Sequence, residues 1–165
     1  MRALVISGGG SKGAFAGGVA AHLMKVQHRN YDIFVGSSTG SLLLTHLAIG
    51  KIDKLHEVYT NVNQKSIFSL NPFKIKKKDN REYVSINYLN TILQFIKKRR
   101  TFGESKNLRK LISRKITKED FLKAKNTNKD IVVTVSNLTK NNIEYKSIKD
   151  FNYEEFCDWI WISCN

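Results

Sequence analysis

The 165-residue sequence predicts an α/β protein whose mainly parallel sheet is flanked by helices. Residues 2–7 and 32–36 are short apolar runs without alternation, as in the buried strands of parallel sheets. Each run is followed by glycines and then by a helical pattern, over residues 14–27 or 39–49. This strand–helix–strand–helix order favours a sheet with helices on both faces.

The two early helical patterns differ in composition. Residues 14–27 contain many small side chains, which allow a helix to pack closely on a sheet. Residues 39–49 are apolar nearly all round, and Gly50 is a suitable residue to end that helix. We therefore expect the second helix to lie in the core.

Further helices are predicted in the middle of the chain. Apolar stripes at helical spacing cover residues 52–59, 89–96 and 108–116. Another helix is predicted to begin at Thr117, because an acidic residue occupies its first turn. Residues 65–84 show no clear period and are predicted to be irregular and basic.

The last third of the chain is predicted to add a strand pair and a helix. Residues 130–136 are typical of a strand, and an Asn-Asn turn allows residues 143–148 to pair back as a hairpin. Residues 153–162 are predicted to be helical. Because 41% of the residues are hydrophobic, the chain can bury a core, and we expect residues 1–165 to form one domain.

The sequence also bears on the compartment. The apolar run at residues 2–7 is too short for a signal peptide or a membrane span. Cys157 and Cys164 have neither a disulfide framework nor metal-ligand spacing, so we expect two free thiols and no metal site. Free thiols favour a reducing compartment. We expect a cytoplasmic protein, with peripheral membrane contact as an open alternative.

The net charge of +14 is unevenly distributed. Residues 1–70 carry a net +4 and residues 71–165 a net +10. Such a surplus favours an anionic partner, and the basic runs at residues 73–78 and 97–100 are candidates for contact with an anionic membrane. No nucleic acid partner is expected, because aromatic residues are not interleaved with the basic ones. A solvated, lysine-rich surface is the alternative interpretation.

The second predicted strand leads into Gly36-Ser37-Ser38-Thr39-Gly40, which matches the G-x-S-x-G nucleophile elbow. On so sharp a turn, the residues two before and two after the serine crowd each other, which favours glycine at both positions. This register selects Ser38, because Thr39 would occupy the second glycine position if Ser37 were central. A glycine-rich turn without chemistry is the alternative interpretation of this motif alone.

The first predicted strand leads into Gly8-Gly9-Gly10-Ser11-Lys12-Gly13. Three consecutive glycines leave backbone N–H groups accessible, and such groups stabilise the oxyanion of acyl transfer. Lys12 adds positive charge beside them. A right-handed crossover would bring both loops to the C-terminal ends of neighbouring strands, so we expect the glycine loop to meet Ser38.

The glycine loop is also a literal G-x-G-x-x-G sequence, so a dinucleotide-binding domain is an alternative. Asp32 follows Gly13 by 19 residues. It precedes the second strand, however, whereas the acid that binds a ribose should follow that strand. A dinucleotide site also has no need for the elbow.

Together the two motifs resemble the patatin-like phospholipase family. That family has a G-G-G-x-[RK]-G oxyanion loop near its start and a G-x-S-x-G elbow after it, and here Gly10 and Ser38 are 28 residues apart. Residues 107–112 resemble the family's P-L-R-K-L-I segment, and residues 159–165 resemble its A-S-x-A region. The resemblance therefore covers most of the chain.

The resemblance implies a three-layer patatin-like architecture and hydrolysis of phospholipids or other acyl lipids through a Ser–Asp dyad. It implies no metal or organic cofactor, and some family members need a protein activator. The family's aspartate lies in a D-G-[GA] motif after the A-S-x-A region, whereas no aspartate of this sequence is followed by glycine. We therefore expect the N-terminal portion of such a domain, incomplete, with the catalytic aspartate beyond Asn165.

A histidine base is not favoured. His46 and His56 follow Ser38 on helices close behind the elbow, and all four histidines are expected at helix surfaces or boundaries. A non-catalytic lipid- or membrane-binding module on the same fold is the remaining alternative. It would not react with a fluorophosphonate probe.

Overall fold

The computed structural model describes residues 1–60, 62, 64–79, 81–98 and 104–165. These residues divide into two compact units. The first, which we call the sheet unit, comprises residues 1–61 and 112–165. The second, which we call the basic unit, comprises residues 62–111.

The sheet unit contains four strands and most of the helices among the described residues. Its first segment forms β1 (Ala3–Ile6), α1 (Gly13–Lys25), β2 (Ile33–Ser37), α2 (Ser41–Ala48) and α3 (Ile52–Thr60). The basic unit forms α4 (Gln64–Ile67), β3 (Phe73–Lys78), β4 (Arg81–Ile86) and α5 (Tyr88–Ile96). The chain continues with α6 (Lys106–Lys115), α7 (Lys118–Lys125), β5 (Asp130–Asn137), β6 (Asn142–Ser147) and α8 (Tyr153–Ser163).

The sheet has the strand order β1-β2-β5-β6. The pairs β1–β2 and β2–β5 are parallel, and β6 is antiparallel to β5. Buried side chains alternate along the central strands, where Phe34, Ile131 and Val133 are fully buried. Helices α2 and α8 contact these strands. The predicted α/β class, with a mainly parallel sheet flanked by helices, is confirmed.

Helix α2 lies in the core, as the sequence predicts. Leu43, Leu44 and Leu47 are completely buried. The helix start predicted at Thr117 is also confirmed, because the Thr117 side chain accepts the Asp120 N–H and the Asp120 side chain accepts the Thr117 N–H. The strand pair β5–β6 confirms the predicted hairpin.

Strand β1 differs from the prediction of a buried strand. Among the residues that the structure describes, it has only β2 as a neighbour in the sheet, and the Val5 side chain is 69% exposed. Its apolar composition therefore does not reflect burial on both faces among the described residues. Ile6, on the other face, is buried.

The prediction of irregular structure over residues 65–84 is wrong. Strands β3 and β4 form an antiparallel hairpin with Phe73 opposite Ile86 and Lys78 opposite Arg81. Lysines alternate with apolar side chains only over residues 73–76 of β3, and Lys77 breaks the period of two in a composition that is unusual for strands.

Helix α5 occurs where its apolar stripe predicts a helix, but that stripe does not face the interior. Gln94, on the polar side, is only 4% exposed, whereas Phe95 is 84% exposed. The side chain of Asn90 donates a 2.8 Å hydrogen bond to the Asn71 carbonyl within the same unit. No helix within the described residues is both long enough and apolar enough to cross a bilayer.

Candidate active site

The two glycine motifs begin at the same edge of the sheet. Strands β1 and β2 are parallel, with Ile6 paired to Gly36, so the loops that follow them start side by side. After β1, a short 3-10 helix over Gly10–Lys12 leads into α1. After β2, a short 3-10 helix over Ser38–Gly40 leads into α2. This is the strand-to-helix turn that the elbow motif predicts.

Ser38 occupies a strained position in this turn. Its φ is 51°, in the left-handed region that non-glycine residues seldom adopt. The preceding residue, Ser37, is still extended, with φ −121° and ψ 140°. Such local strain is concentrated at functional sites, where the surrounding structure holds it in place.

Glycine is required at both outer positions of the elbow. A Cβ on Gly36 would lie 2.7 Å from the carbonyl carbon of Gly40. A Cβ on Gly40 would lie 2.2 Å from the carbonyl oxygen of Ile6. Both contacts involve backbone atoms, which cannot swing aside as a flexible side chain can. The crowding predicted around the central serine is therefore present.

The glycine loop contacts Ser38. A Cβ built on Gly8 would lie 2.7 Å from Ser38 Cβ and 3.4 Å from Ser38 Oγ. The Gly9 N–H donates a 3.2 Å hydrogen bond to Thr39 Oγ1. Gly10 has a φ of 57°, which glycine adopts without strain. The expected meeting of the loop and the elbow is thus observed.

The remaining residues of the loop lie farther along the turn. Lys12 ends the short 3-10 helix, is exposed, and donates its backbone N–H to the Gly9 carbonyl at 3.1 Å. Gly13 is buried as the first residue of α1. The exposed lysine leaves a positive charge close to the glycines that follow β1.

Two serines that support the elbow were not predicted. The Ser38 N–H donates a 2.8 Å hydrogen bond to Ser163 Oγ, and that hydroxyl donates a 2.7 Å bond to the Thr134 carbonyl. Ser41 Oγ donates to the Ser38 carbonyl at 2.6 Å. Both backbone groups of Ser38 are therefore held by serine side chains. Ser163 falls in the segment that resembles A-S-x-A, which was the available signal.

The model of the patatin-like phospholipase family matches residues 4–165. The chain belongs to the patatin-like phospholipase family. No match to a curated protein or to a solved structure was found. At the level of the family, membership indicates a hydrolase that acts on the acyl esters of lipids. In this patatin-like chain, the two glycine motifs meet around Ser38.

One histidine of this patatin-like chain is not at a surface, contrary to the prediction. His46 is only 2% exposed, and its Nε2–H donates a 3.1 Å hydrogen bond to the Lys115 carbonyl. Burial, followed by the charge of Lys54, lowers the pKa of His46, although Asp120 opposes this effect. The other three histidines are exposed, as expected.

Asp120 is a buried carboxylate of the sheet unit. It is completely buried, and burial alone would raise its pKa. Hydrogen bonds from Lys51 Nζ at 2.5 Å and Lys54 Nζ at 2.6 Å outweigh burial and hold the pKa well below its usual range. Asp120 is therefore ionised and fully paired, which is typical of a structural carboxylate.

Asp32 does not suit the alternative of a dinucleotide site. It lies before β2, and its carboxylate accepts a 2.6 Å hydrogen bond from the Arg2 N–H. The glycine loop follows β1 at the opposite end of the parallel strand pair. Asp32 and the glycine loop therefore lie at opposite ends of the parallel strands, where one dinucleotide could not contact both in the usual way.

Both cysteines are free thiols, as predicted. Burial raises the pKa of Cys157 and of Cys164 to about 11 in each case. They are therefore protonated and poorly nucleophilic near neutral pH. Among the described residues, no group of three or more His, Cys, Asp and Glu side chains could hold a metal ion.

Proposed function

We propose that the chain carries the nucleophile and the oxyanion hole of a phospholipase A-type lipid acyl hydrolase. The observation that supports this most directly is the contact between Gly8 and Ser38 at the ends of two adjacent parallel strands. A strained serine beside a loop of backbone donors is what acyl transfer requires. The substrate class is phospholipid or another acyl lipid.

In the proposed reaction, Ser38 Oγ attacks the ester carbonyl carbon and its proton passes to a base. The carbonyl oxygen becomes an oxyanion, which backbone N–H groups of Gly8, Gly9 and Gly10 would stabilise, with Lys12 nearby. Collapse of the tetrahedral intermediate releases the alcohol and leaves an acyl-serine, which water then hydrolyses. No metal or organic cofactor takes part in this scheme.

For the base, we propose the aspartate of a Ser–Asp dyad. The proposal rests on the family resemblance, in which that aspartate lies in a D-G-[GA] motif. None of the seven aspartates of this sequence is followed by glycine. We therefore place the base outside residues 1–165, in a longer chain that completes the patatin-like domain.

The test compares acyl ester turnover and fluorophosphonate labelling by a chain extended through a D-G motif and by the 165-residue chain. The extended chain should hydrolyse phospholipid and be labelled, whereas the shorter chain should be nearly inactive. The variant Ser38→Ala of the extended chain should lose at least about a thousandfold in turnover, because the nucleophile is removed.

Ser37→Ala is the matched control, because Ser37 belongs to the same motif but is not the central residue. It should keep turnover within about tenfold of the unmodified chain, since its hydroxyl takes no part in the proposed reaction. Full activity of Ser38→Ala would remove the nucleophile. Robust, Ser38-dependent turnover by the 165-residue chain would show that the base lies within it.

A further inference from the structure

Helix α5 has its polar side turned inward and its apolar side turned to solvent. Asn87, Asn90, Thr91 and Gln94 follow helical spacing, and all four are buried or half-buried. The exposed side carries six large apolar side chains: Tyr88, Leu89, Ile92, Leu93, Phe95 and Ile96. Isolated exposed apolar residues are ordinary, but a contiguous apolar helix face marks an interaction surface.

The neighbouring hairpin adds a second apolar face. Phe73 pairs with Ile86 and Ile75 with Val84, and all four side chains are exposed. Successive side chains of β3 point to opposite faces, so Lys77 shares the face of Phe73 and Ile75, while Lys74, Lys76 and Lys78 lie on the other face, and all four lysines are exposed. The backbone of the hairpin is joined to α5, because the Asn87 N–H donates a 2.7 Å hydrogen bond to the Pro72 carbonyl.

Most of the net charge of the protein is concentrated in this unit. Residues 62–111 contain 13 Lys and Arg against 3 Asp and Glu, which is +10 of the total +14. Exposed Lys97 and Lys98 directly follow α5. Arg99 and Arg100, which complete the predicted basic run, lie outside the described residues.

We propose that the basic unit binds the surface of an anionic phospholipid membrane. The exposed apolar residues of α5 and of the hairpin enter the boundary between headgroups and acyl chains, and the lysines contact the lipid phosphates. Lysine stems are long enough to follow apolar surface while the ammonium group stays in water. An apolar helix face combined with nearby cations is typical of interfacial binding.

A membrane satisfies both features of the basic unit. Nucleic acid would neutralise the cations but leave the apolar face of α5 in water. A second copy of the chain would cover the apolar face but bring two +10 units together. The inference rests on the proposed function in one respect: the membrane would hold the acyl lipid that Ser38 attacks.

The test is flotation of the extended chain carrying Ser38→Ala with vesicles, so that binding is measured without hydrolysis and with the rest of the domain present. One set of vesicles is phosphatidylcholine alone, and the other contains phosphatidylserine as well. Binding should be strong only with the anionic vesicles and should weaken as salt is raised, because salt screens exposed charges. Equal binding to both vesicle types would overturn the proposal.

Two triple variants separate the cations from the apolar face. In Lys74→Gln/Lys76→Gln/Lys78→Gln, the apparent partition coefficient should fall at least about tenfold, because three cations that are attracted to the anionic surface are removed. Leu89→Gln/Ile92→Gln/Phe95→Gln should cause a similar loss. All six side chains are exposed, so neither variant removes a buried contact.

Matched controls lie in the sheet unit. Lys118→Gln/Lys123→Gln/Lys140→Gln removes the same charge, and Leu138→Gln removes an exposed apolar side chain. Both should bind as the parent does. Equal losses in controls and test variants would overturn the assignment to the basic unit, and binding to RNA but not to vesicles would replace the membrane with nucleic acid.

The two proposals fail in distinguishable ways. Anionic vesicle binding without any ester turnover by the extended chain would leave the membrane surface and remove the hydrolase. Turnover of a soluble short-chain ester, together with no vesicle binding, would leave the hydrolase and remove the membrane surface.

Discussion

Ser163 holds the backbone of Ser38 by a single hydrogen bond from the Ser38 N–H. In Ser163→Ala that N–H loses its partner, and we expect unfolding free energy to fall by about 1–2 kcal/mol. Hydrogen exchange at the Ser38 amide should become faster. Both are measured on the purified chain, by chemical denaturation and by exchange spectroscopy.

Ser136→Ala is the control for that variant, because Ser136 is an exposed serine of β5. It should change neither quantity. An unchanged hydrogen-exchange rate at the Ser38 amide in Ser163→Ala would show that the strained φ of Ser38 is maintained by the surrounding backbone alone.

His46 makes stability depend on pH. Its pKa in the folded protein is lowered from 6.5, so the unfolded chain binds more protons than the folded one as pH falls below that value. The contribution of neutral His46 to stability is fully present above about pH 6.5 and is lost progressively as pH falls below that value. Thermal unfolding between about pH 5 and pH 8 should show a lower Tm on the acid side.

His46→Gln is the informative variant, because a glutamine amide can still donate to the Lys115 carbonyl while carrying no titratable ring. The decline in Tm below pH 6.5 should become smaller, whereas His22→Gln, at an exposed position, should leave it unchanged. An identical pH profile for His46→Gln and the parent would contradict this assignment.

At the scale of elements, the close packing of the start of α2 against the end of β1 depends on Gly40. Gly40→Ala places a methyl group where only 2.2 Å separates it from the Ile6 carbonyl oxygen. We expect the free energy of unfolding to fall by several kcal/mol, because two backbone segments must move apart. Denaturant titration measures the loss.

Gly18→Ala is the matched control. Gly18 lies in the interior of α1, and an added Cβ would meet no atom within 4 Å. This variant should gain up to about 1 kcal/mol, because alanine favours helix over glycine. Similar effects of both substitutions would show that the close contact at Gly40 relaxes without cost.

The sequence predicts elements well where one chemical signal dominates. The elbow and the glycine loop each follow an apolar strand. Close backbone contacts at Gly36 and Gly40 require glycine at both positions of the elbow. The hairpin was missed because Lys77 occupies a position of β3 where the alternation calls for an apolar side chain. The apolar stripe of α5 predicts a helix but cannot indicate which medium its apolar side contacts.

At the scale of the whole molecule, the charge of +14 should limit stability through self-repulsion. Raising salt from about 0.01 M to about 0.1 M shortens the Debye length from about 30 Å to about 10 Å. We therefore expect Tm to rise with salt over this range. The measurement is thermal unfolding at constant pH, followed by circular dichroism.

The variant Lys74→Gln/Lys76→Gln/Lys78→Gln reduces the net charge and should weaken the dependence on salt. Lys51→Gln/Lys54→Gln removes the partners of buried Asp120 and should destabilise at every salt concentration. A Tm that falls as salt is added would indicate that favourable ion pairs outweigh the repulsion.

The class of the whole fold follows from the sequence, whereas the division into two compact units does not. The expectation of one domain over residues 1–165 remains a prediction. Burial of His46 was also not predicted, because a histidine in an apolar helix has the same sequence pattern whether its ring meets water or a carbonyl such as that of Lys115. Such contacts join residues far apart in the chain.

The sheet unit is discontinuous, and this sets an order of events during synthesis. Strand β2 is made early, but its neighbour β5 begins only at Asp130, after the whole basic unit has been synthesised. Ser163, which holds the Ser38 amide, is made 125 residues after it. The basic unit can thus form as a contiguous segment first, whereas the elbow is complete only when translation has passed residue 163.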